Sequence, residues 1–507
     1  MSLSNFINRL RKIMRNDAGI SGDAQRIEQL SWMLFLKIYD EKERDWELLE
    51  EGYRSIIPEE CRWRSWGHDD QSGSALTGDD FLDFIDHKLF PTLRSLEITP
   101  DTPMRQAIVR TTFGDTKQYM KDGVLLRQVC SVIDELDLSD ARESHAFGEI
   151  YETILRELQS AGTAGEFYTP RALTDLMAHL IHPRVGERMA DFACGTGGFI
   201  TSWLSELRKS VTTVEDEAAY QGSIYGVEKK QFPFMLCVTN LLLHDIESPA
   251  VYHDNSLTKD VLNFTDDDKF DVILMNPPYG GSEKASIKEH FPDNLSSSET
   301  ADLFMILIMY RLRVGGRAAV ILPDGLLFGV EGSQYAIKER LVREFNLHTI
   351  IRIPKTVFNP YTGIATNILF FDHARAEGAP EGFSTAGTWY YRLDLPEGYK
   401  GFSKTKPIKA EHTEEVLRWW DDRQEIIPEE GRDEKSRYFT LQELLDDRLN
   451  LDRCKYPSTQ EEVLPPRELL ERYFTQRREL DREIDKSLSD IAGLLGMSLA
   501  DIEQEKL

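Results

Sequence analysis

The chain has 507 residues, of which 41% are hydrophobic and 29% are charged, and its formal net charge is −27 at pH 7. This length exceeds what one hydrophobic core usually serves, so we expect a globular protein of two or three domains. A protein that grips DNA by itself normally carries a basic surface, so the acidic charge leaves two readings: DNA is not the substrate, or another chain binds it.

The five cysteines are scattered, without paired spacing or a nearby histidine cluster. This pattern argues against a disulfide framework and against a structural zinc site. The longest apolar run, Leu303 to Tyr310, is too short to span a bilayer. The N-terminus, Met1 to Asn16, lacks the apolar core of a signal peptide. We therefore expect a cytoplasmic protein without a bound metal.

Residues up to about 150 have a mainly helical pattern. Apolar residues recur at helical spacing from Ala24 to Tyr39, and the pattern returns from Val124 to Leu138 and from Phe147 to Leu158. Between these segments, Cys61 to Gly78 is polar, contains tryptophan and is predicted to be a loop. The first part of the chain is therefore expected to be a helical domain.

A glycine-flanked loop near Ala161 leads into the segment Glu166 to Arg171. Thr169 is a suitable N-cap and Pro170 a suitable first residue for a helix that runs to Leu180. On these residues alone, the segment indicates the capped start of a helix.

The segment Arg188 to Ala193 is a short predicted strand that leads into a glycine turn, Asp191 to Gly198, and then into a helix to about Leu207. A strand, a glycine turn and a helix in this order begin a Rossmann-like unit. Glycines let the backbone approach a ligand closely, and the start of the helix offers free N–H groups. A glycine turn alone is a weak signal for a binding site.

Two more predicted strands follow, and polar residues stand at the end of each. Ser223 to Glu228 ends in a carboxylate, which in Rossmann-type sites accepts hydrogen bonds from ribose hydroxyls. A helix from Phe234 to His244 comes next, and a polar stretch from Val214 to Ala219 is predicted as an insertion before the second strand. The third strand, Val251 to Asn255, ends in polar residues able to face the adenine of a cofactor.

The apolar strand Phe270 to Met275 runs directly into Asn276-Pro277-Pro278-Tyr279. Ligands of open α/β sheets bind at the carboxyl ends of the strands, so this tetrapeptide has the position of a site. A ring-conjugated amine becomes nucleophilic when hydrogen-bond acceptors draw its lone pair out of the ring. The side-chain oxygen of Asn276 and the carbonyl of Pro277 are suitable acceptors, and the prolines fix the backbone that carries them. Tyr279 is suited to stack on a base that has been flipped out of a duplex.

The rest of the chain continues the α/β alternation and then changes character. Gly280 to Thr300 has the composition of a mobile loop, and the sheet is predicted to be complete by Phe371, with a possible hairpin at its end. A charged linker, Asp421 to Arg437, and a tail helix, Arg467 to Leu495, follow. The predicted elements between the loop and the linker are a helix from Ala301 to Leu312, a Gly315-Gly316 turn, a strand from Arg317 to Leu322, a helix from Tyr335 to Phe345, and strands from Thr349 to Ile353 and from Thr366 to Phe371.

The tail helix carries apolar residues whose gaps alternate between four and three, which is typical of a seam that meets another helix. A partner within the same chain and a partner on another chain fit this pattern equally well. The seam residues are Leu480, Ile484, Leu488, Ile491 and Leu495.

The chain resembles the amino-methyltransferases, and most closely the adenine-N6 methylase (modification) subunit of type I restriction-modification systems. In that family a helical N-terminal domain precedes the catalytic domain. A Tyr-Thr-Pro-type segment, the glycine turn, the acidic strand end and Asn-Pro-Pro-Tyr then follow in that order, and this sequence has all four over nearly its whole length. The expected fold class is α/β, with helical N-terminal domain 1–150, Rossmann-like methyltransferase domain 151–420, and linker and helical docking tail 421–507.

The resemblance implies that the cofactor is S-adenosylmethionine and that the reaction is direct methyl transfer to a flipped-out adenine. The residues implied to bind the cofactor are Glu166, Phe167, Tyr168, Thr169, Pro170, Arg171, Asp191, Thr196, Gly197, Gly198, Glu228 and Asn255. The residues implied to be catalytic are Asn276, Pro277, Pro278 and Tyr279. The implied partners are double-stranded DNA, a DNA-specificity subunit and a restriction subunit, with two copies of this chain per complex and no membrane.

Other functions remain open from the residues alone. Asn-Pro-Pro-Tyr also suits methylation of a glutamine side chain in a protein or of a base in RNA, since each presents a planar nitrogen. A subunit that keeps the fold for assembly but lacks activity is a further alternative. Two other chemistries fit less well: cytosine-C5 methylation needs a positioned cysteine, a setting that Cys194 and Cys237 lack, and NAD-dependent oxidation has no use for Asn-Pro-Pro-Tyr.

Overall fold

The computed structural model describes residues 3–68, 75–136, 151, 168–359, 362–427 and 434–454, together with scattered helical positions between 470 and 489. Contacts divide the chain into two compact units, Met1–Tyr456 and Pro457–Leu507. Within the described residues, no helix combines the length and the apolar character that crossing a membrane requires.

The first part of the larger unit is helical, as the sequence predicts. Its longest helix, α2, begins at Asp23, one residue before the predicted Ala24, and runs ten residues beyond Tyr39, because Trp46 and Glu43 on the same face are also buried. The helices of this region are α1 (Leu3–Met14), α2 (Asp23–Leu49), α3 (Trp63–Trp66), α4 (Gly78–Asp83), α5 (Phe90–Arg94), α6 (Met104–Phe113) and α7 (Gly123–Asp134), with a π-helical turn at Phe84–Leu89.

Two details of this region differ from the sequence prediction. The predicted loop from Cys61 to Gly78 contains helix α3, whose Trp63 and Trp66 are buried and in edge-to-face contact, with ring centroids 4.9 Å apart. Helix α7 ends at Asp134 and not at Leu138. Apart from Tyr151, which is helical, the helix predicted from Phe147 to Leu158 lies outside the described residues.

The described residues form one nine-stranded sheet in the order β3-β2-β1-β4-β5-β7-β6-β8-β9. Strands β1 to β6 and β8 run parallel, whereas β7 and β9 run antiparallel to their neighbours. The predicted α/β class is therefore confirmed, and the expected hairpin is the antiparallel pair β6 and β7. The strands are β1 (Met189–Asp191), β2 (Ile224–Glu228), β3 (Val251–His253), β4 (Phe270–Met275), β5 (Leu312–Pro323), β6 (Asn346–Ile353), β7 (Thr366–Asp372), β8 (Gly387–Arg392) and β9 (Ser436–Thr440).

Helices cover both faces of the sheet, so its central strands are buried on both sides. Along β4, Val272 and Leu274 belong to one hydrophobic cluster and Ile273 and Met275 to the other. This alternation follows from the two-residue period of a strand. The helices of this region are α8 (Arg171–Leu180), α9 (Gly198–Arg208), α10 (Val214–Gln221), α11 (Gln231–Leu243), α12 (Ala285–Lys288), α13 (Thr300–Arg311), α14 (Asp324–Phe328), α15 (Gly332–Glu344), α16 (Glu414–Asp421) and α17 (Leu441–Asp446).

The prediction that the sheet is complete at Phe371 is wrong, because β8 and β9 extend it. Strand β9 lies at the end of the predicted charged linker and stays in the sheet because its aromatic residues contact those of β8. The rings of Tyr390 and Phe439 are 5.3 Å apart, and those of Trp389 and Tyr438 are 5.2 Å apart. The contact boundary of the larger unit falls at Tyr456, after this strand.

Three smaller predictions are also corrected. The polar stretch at Val214 forms helix α10, which is started by a capping box between Thr213 and Asp216. The predicted loop from Gly280 to Thr300 contains the short helix α12. Gly315 and Gly316 form no separate turn but lie inside β5, beside an irregularity in its pairing with β4.

Candidate active site

A pocket of about 500 Å³ opens at the carboxyl ends of β1, β2, β3 and β4. Each of these strands is followed by residues that line it, which is the position expected for a ligand site in an open parallel sheet. The structure thus brings together eleven of the sixteen residues predicted from the sequence. They are Tyr168, Thr169, Asp191, Thr196, Gly198, Glu228, Asn255, Asn276, Pro277, Pro278 and Tyr279.

Three predicted residues, Pro170, Arg171 and Gly197, do not line this pocket. Glu166 and Phe167 lie outside the described residues. The predicted cap is also wrong: α8 begins at Arg171, and Pro170 stands at its N-cap without a side-chain cap hydrogen bond. Thr169 precedes the N-cap by one residue, and its hydroxyl accepts a hydrogen bond from Asn276.

Arg171 and Gly197 instead shape the glycine turn from outside the pocket. The Arg171 guanidinium donates from Nη1 to the Gly198 carbonyl at 2.8 Å and to Thr201 Oγ1 at 2.6 Å. Gly197 has a φ of +81°, and a Cβ at this position would lie 2.8 Å from Cys237 Sγ. A side chain does not fit there, so the turn requires glycine.

The Glu228 carboxylate joins the end of β2 to the glycine turn. Its Oε2 accepts from the Gly195 N–H at 2.9 Å, and its Oε1 accepts from the Lys230 N–H at 2.8 Å. Burial raises the pKa of Glu228, while these two backbone hydrogen bonds oppose the rise. Each carboxylate oxygen has a second lone pair, so Glu228 retains the capacity to accept from a ligand hydroxyl.

Asp191 lies at the end of β1 and is almost fully buried. Burial raises its pKa to about 8, and the negative charge of Glu228 adds to the rise, although the Ala193 N–H donates to Asp191 Oδ1 at 3.1 Å. Burial thus raises the pKa of both acids at the pocket floor, and at Glu228 two backbone N–H donors oppose this rise.

Asn276 follows β4, and its side-chain amide is hydrogen-bonded through its nitrogen. Its Nδ2 donates to Thr169 Oγ1 at 3.2 Å. Its Oδ1 is buried and has no hydrogen-bond partner among the described residues. Buried acceptors are normally satisfied, so an orphaned one in a pocket fits a ligand that brings a donor. Pro277 is buried and Tyr279 is half-buried beside it.

Several lining residues escaped the sequence prediction. Ser256 ties the end of β3 to the glycine turn by donating to the Phe192 carbonyl at 2.6 Å. Asp254 and Ser256 flank the predicted Asn255, so the polar strand end was a signal for them. Phe358 comes from the connection between β6 and β7 and carried no local signal. The other lining residues not predicted are Phe192, Ala193, Cys194, Gly195, Phe199, Lys229, Lys230, Gly281, Ser282, Glu283, Thr300 and Phe304.

Amide, hydroxyl and carboxyl groups line the pocket together with aromatic rings. Among the residues with described positions, no group of three or more histidine, cysteine or acidic side chains is placed to hold a metal ion. Cys194 and Cys237 are buried with their sulfur atoms 3.8 Å apart, and the neighbouring thiol, together with burial, raises the pKa of Cys194 far above its usual value. This suppresses the thiolate that a cysteine nucleophile requires.

Comparison with known proteins shows similarity over nearly the whole chain. The N-6 DNA Methylase family matches residues 142–463, and the HsdM N-terminal domain matches residues 3–133. The chain is 46% identical to the type I restriction enzyme EcoEI methylase subunit of Escherichia coli over 496 residues, which is 97% of this chain and 98% of that protein.

Solved structures agree with the sequence comparison. A modification subunit of a putative type I restriction enzyme from Vibrio vulnificus YJ016 matches with a TM-score of 0.74 and 37% identity, over 87% of this chain and 92% of that one. A chain from a structural study of complex assembly in the type I R-M system matches with a TM-score of 0.78 and 33% identity, over 97% and 98%. The shared fold therefore includes the helical region and the sheet.

Proposed function

Because the chain belongs to the N-6 DNA methylase family and is a type I restriction-modification methylase subunit, we propose that it methylates the N6 amine of a flipped-out adenine with S-adenosylmethionine, in complex with a DNA-specificity subunit. The observation that carries this proposal is the buried Oδ1 of Asn276 beside the glycine turn, which has no hydrogen-bond partner among the residues that the structure describes. An acceptor in this position fits an amine donor.

The pocket is suited to S-adenosylmethionine in its shape and its donor set. Bound there, the cofactor supplies a methyl group on a sulfonium centre. The glycine turn leaves room for it at Gly195, which lines the pocket, has positive φ and carries no side chain. Glu228 is the proposed acceptor for the ribose hydroxyls, because its carboxylate is fixed by two backbone N–H groups and keeps free lone pairs.

The proposed catalytic step depends on the acceptors of the Asn276 segment. Asn276 Oδ1 and the Pro277 carbonyl accept the two N–H groups of the adenine amine, which localises the lone pair on nitrogen. With the cofactor bound, these two acceptors would hold the amine nitrogen for methyl transfer from the sulfonium centre, after which the amine would lose one proton. Tyr279 and Phe358 line the same pocket and are the proposed walls for the base, which must leave the duplex to reach them.

The charge of −27 supports a second subunit that binds DNA. Phosphate contacts supply much of a protein's affinity for DNA, and this chain repels a duplex over roughly a Debye length of 8 to 10 Å. The tail supplies the proposed docking surface: its seam residues Leu480, Ile484 and Leu488 are exposed on helical positions. Ile491 and Leu495 lie outside the described residues. A restriction subunit and two copies of this chain per complex complete the proposed assembly.

The test is a tritium-transfer assay from labelled S-adenosylmethionine to DNA, with and without the specificity subunit. We expect methyl transfer to one defined DNA sequence only when both subunits are present. Asn276→Ala should abolish transfer while calorimetry gives nearly unchanged cofactor binding, because Asn276 is assigned to the acceptor amine. Sequence-specific methylation by the isolated chain at the rate of the complex would refute the role of the partner.

A further inference from the structure

A second cavity, of about 300 Å³, lies beside the active site and shares Tyr279 with it. Its opposite wall is formed by the end of β5 and by helix α14 (Asp324–Phe328). We call the segment Pro323–Phe328 the pocket wall. Phe328 is 55% exposed at this wall, so the segment presents an aromatic ring to solvent next to the proposed base site.

The N-terminal end of the pocket wall is fixed by a buried arginine. Arg352, on β6, has a side chain that is 3% exposed. Its Nη2 donates to Asp324 Oδ1 at 3.1 Å, and its Nε donates to Asn367 Oδ1 at 3.0 Å. Asn367 in turn donates from Nδ2 to Asp324 Oδ1 at 2.6 Å. Asp324 is therefore held from two neighbouring strands at once.

The C-terminal end of the pocket wall is fixed by two donors to one carbonyl. The fully buried Lys338 donates from Nζ to the Leu327 carbonyl at 2.7 Å, and the Leu451 N–H donates to the same oxygen at 2.9 Å. The last carbonyls of a helix have no partner within the helix, so these donors stabilise the end of α14. Cations are also favourable at this end of a helix.

Residues 450–454, which we call the strap, reach both ends of the pocket wall. Leu451 binds the Leu327 carbonyl, while the carboxylate of Asp452 accepts from Arg352 Nη2 in the cluster that holds Asp324. Leu449 and Leu451 are buried in the core, although Arg448 and Leu449 both adopt positive φ, of 53° and 54°. Consecutive non-glycine residues in this conformation persist only when the surroundings hold them.

We propose that Arg352 and Asp452 are positioning residues for methyl transfer, which clamp the pocket wall against the base site through the strap. This inference rests on the proposed function, because it assigns the space beside Tyr279 to the target base. The cofactor half of the site, at β1 to β4, has no part in the clamp. Loosening the clamp therefore affects the transfer step and leaves cofactor binding unchanged.

The strap directly precedes the tail of the chain. From Cys454 the chain continues into residues 455–507, which include the proposed docking seam. A partner that binds this tail is therefore joined along the chain to the residues that hold the pocket wall.

The test compares Asp452→Asn and Arg352→Lys with the wild type in the complex with the specificity subunit. Arg448→Gln is the matched control. Arg448 lies in the turn that leads into the strap, and its substitution removes an exposed ion pair with Glu331, whose N···O distance is 3.3 Å. We expect both clamp variants to lower kcat roughly ten- to hundredfold, the size of effect that a small misplacement of a reacting group produces. The cofactor dissociation constant should stay within twofold of the wild type, and Asp452→Glu should restore part of kcat.

Hydrogen exchange of the amides in Asp324–Phe328 gives a readout that needs no activity. Exchange should accelerate there in Asp452→Asn and not in Arg448→Gln. The proposed clamp would be refuted by equal exchange rates in the two variants, by an unchanged kcat in the clamp variants, or by a loss of cofactor binding that parallels the loss of kcat. If the wild-type complex transfers no methyl group to adenine, the proposed function fails, and the exchange data still decide between a clamp and no clamp.

Discussion

Asn276 Nδ2 donates to Thr169 Oγ1 at 3.2 Å, and the oxygen of the same amide has no hydrogen-bond partner within the described part of the chain. The two residues are distant in sequence, and the hydrogen bond joins the segment before α8 to the segment after β4. An amide rotated by half a turn would present a donor to the pocket in place of an acceptor. The threonine hydroxyl is therefore part of what makes Asn276 suitable for an amine.

The first prediction follows from this hydrogen bond. Thr169→Val keeps the side-chain shape but removes the acceptor, so the Asn276 amide loses its fixed orientation. We expect kcat to fall roughly fivefold, the equivalent of one neutral hydrogen bond of ~1 kcal/mol. Steady-state kinetics of the complex measure kcat, and calorimetry measures the affinity for the cofactor. A weaker cofactor affinity with unchanged kcat would assign Thr169 to the cofactor and not to Asn276.

The second prediction concerns Glu228. Glu228→Ala leaves the N–H groups of Gly195 and Lys230 without acceptors, so both cofactor affinity and folding stability should fall, each by roughly 1 to 3 kcal/mol. Glu228→Gln retains one carbonyl oxygen and should preserve more stability than affinity. Thermal unfolding of the two variants measures the role of Glu228 in stability, and cofactor titration measures its role in binding. An unchanged dissociation constant in both would remove Glu228 from the cofactor site.

The third prediction is a pH dependence from Asp191, whose folded-state pKa of about 8 lies above the ordinary value of 3.8. At a pH between these two pKa values, Asp191 holds a proton in the folded protein that it has released in the unfolded chain. Asp191 therefore makes the free energy of unfolding fall as the pH rises. Asp191→Asn removes the titration. The stability of the variant relative to the wild type should therefore increase from about pH 4 to pH 8 and then level off. Urea unfolding across this range measures it, and a constant difference would contradict the raised pKa.

The fourth prediction uses two glycines with positive φ. Gly186→Ala imposes only the backbone cost, roughly 1 to 2 kcal/mol, because open space surrounds that position. Gly197→Ala adds a contact at 2.8 Å with Cys237 Sγ and should destabilise the protein by more. Cys237→Ala in the Gly197→Ala background should recover the excess but not the shared backbone cost. Equal unfolding free energies for the two alanine variants would show that the turn accommodates a side chain.

The fifth prediction concerns truncation. A chain that ends at Tyr456 keeps the sheet and the strap, so we expect it to fold and to bind the cofactor. It should no longer bind the specificity subunit. A chain that ends at Asp446 loses the buried Leu449 and Leu451 and should have a lower unfolding temperature. Size-exclusion chromatography with the partner and thermal unfolding distinguish the two. Retained complex formation by either truncated chain would place the docking surface elsewhere.

Sequence reasoning succeeded where a motif directly follows its own strand. Glu228 and Asn276 each stand at the end of an apolar run, so local patterns placed them at one edge of the sheet. Phe358 and the strap were not predictable in this way, because their approach to the site depends on strand order and not on neighbouring residues. Strand β9 was hidden for a related reason: its charged flanks resemble a linker, and only its contacts with β8 keep it in the sheet.

The antiparallel direction of β7 has a practical consequence for labelling the protein. The connection before β7 reaches the ligand edge and carries Phe358, whereas the connection after it, residues 373–386, stays at the opposite edge of the sheet. Gly378 is exposed in that second connection, and open space surrounds its α-carbon. A fluorophore or a surface-immobilisation tag inserted there lies away from the cofactor, the base site and the strap. Single-molecule observation of the assembled enzyme can begin from that position.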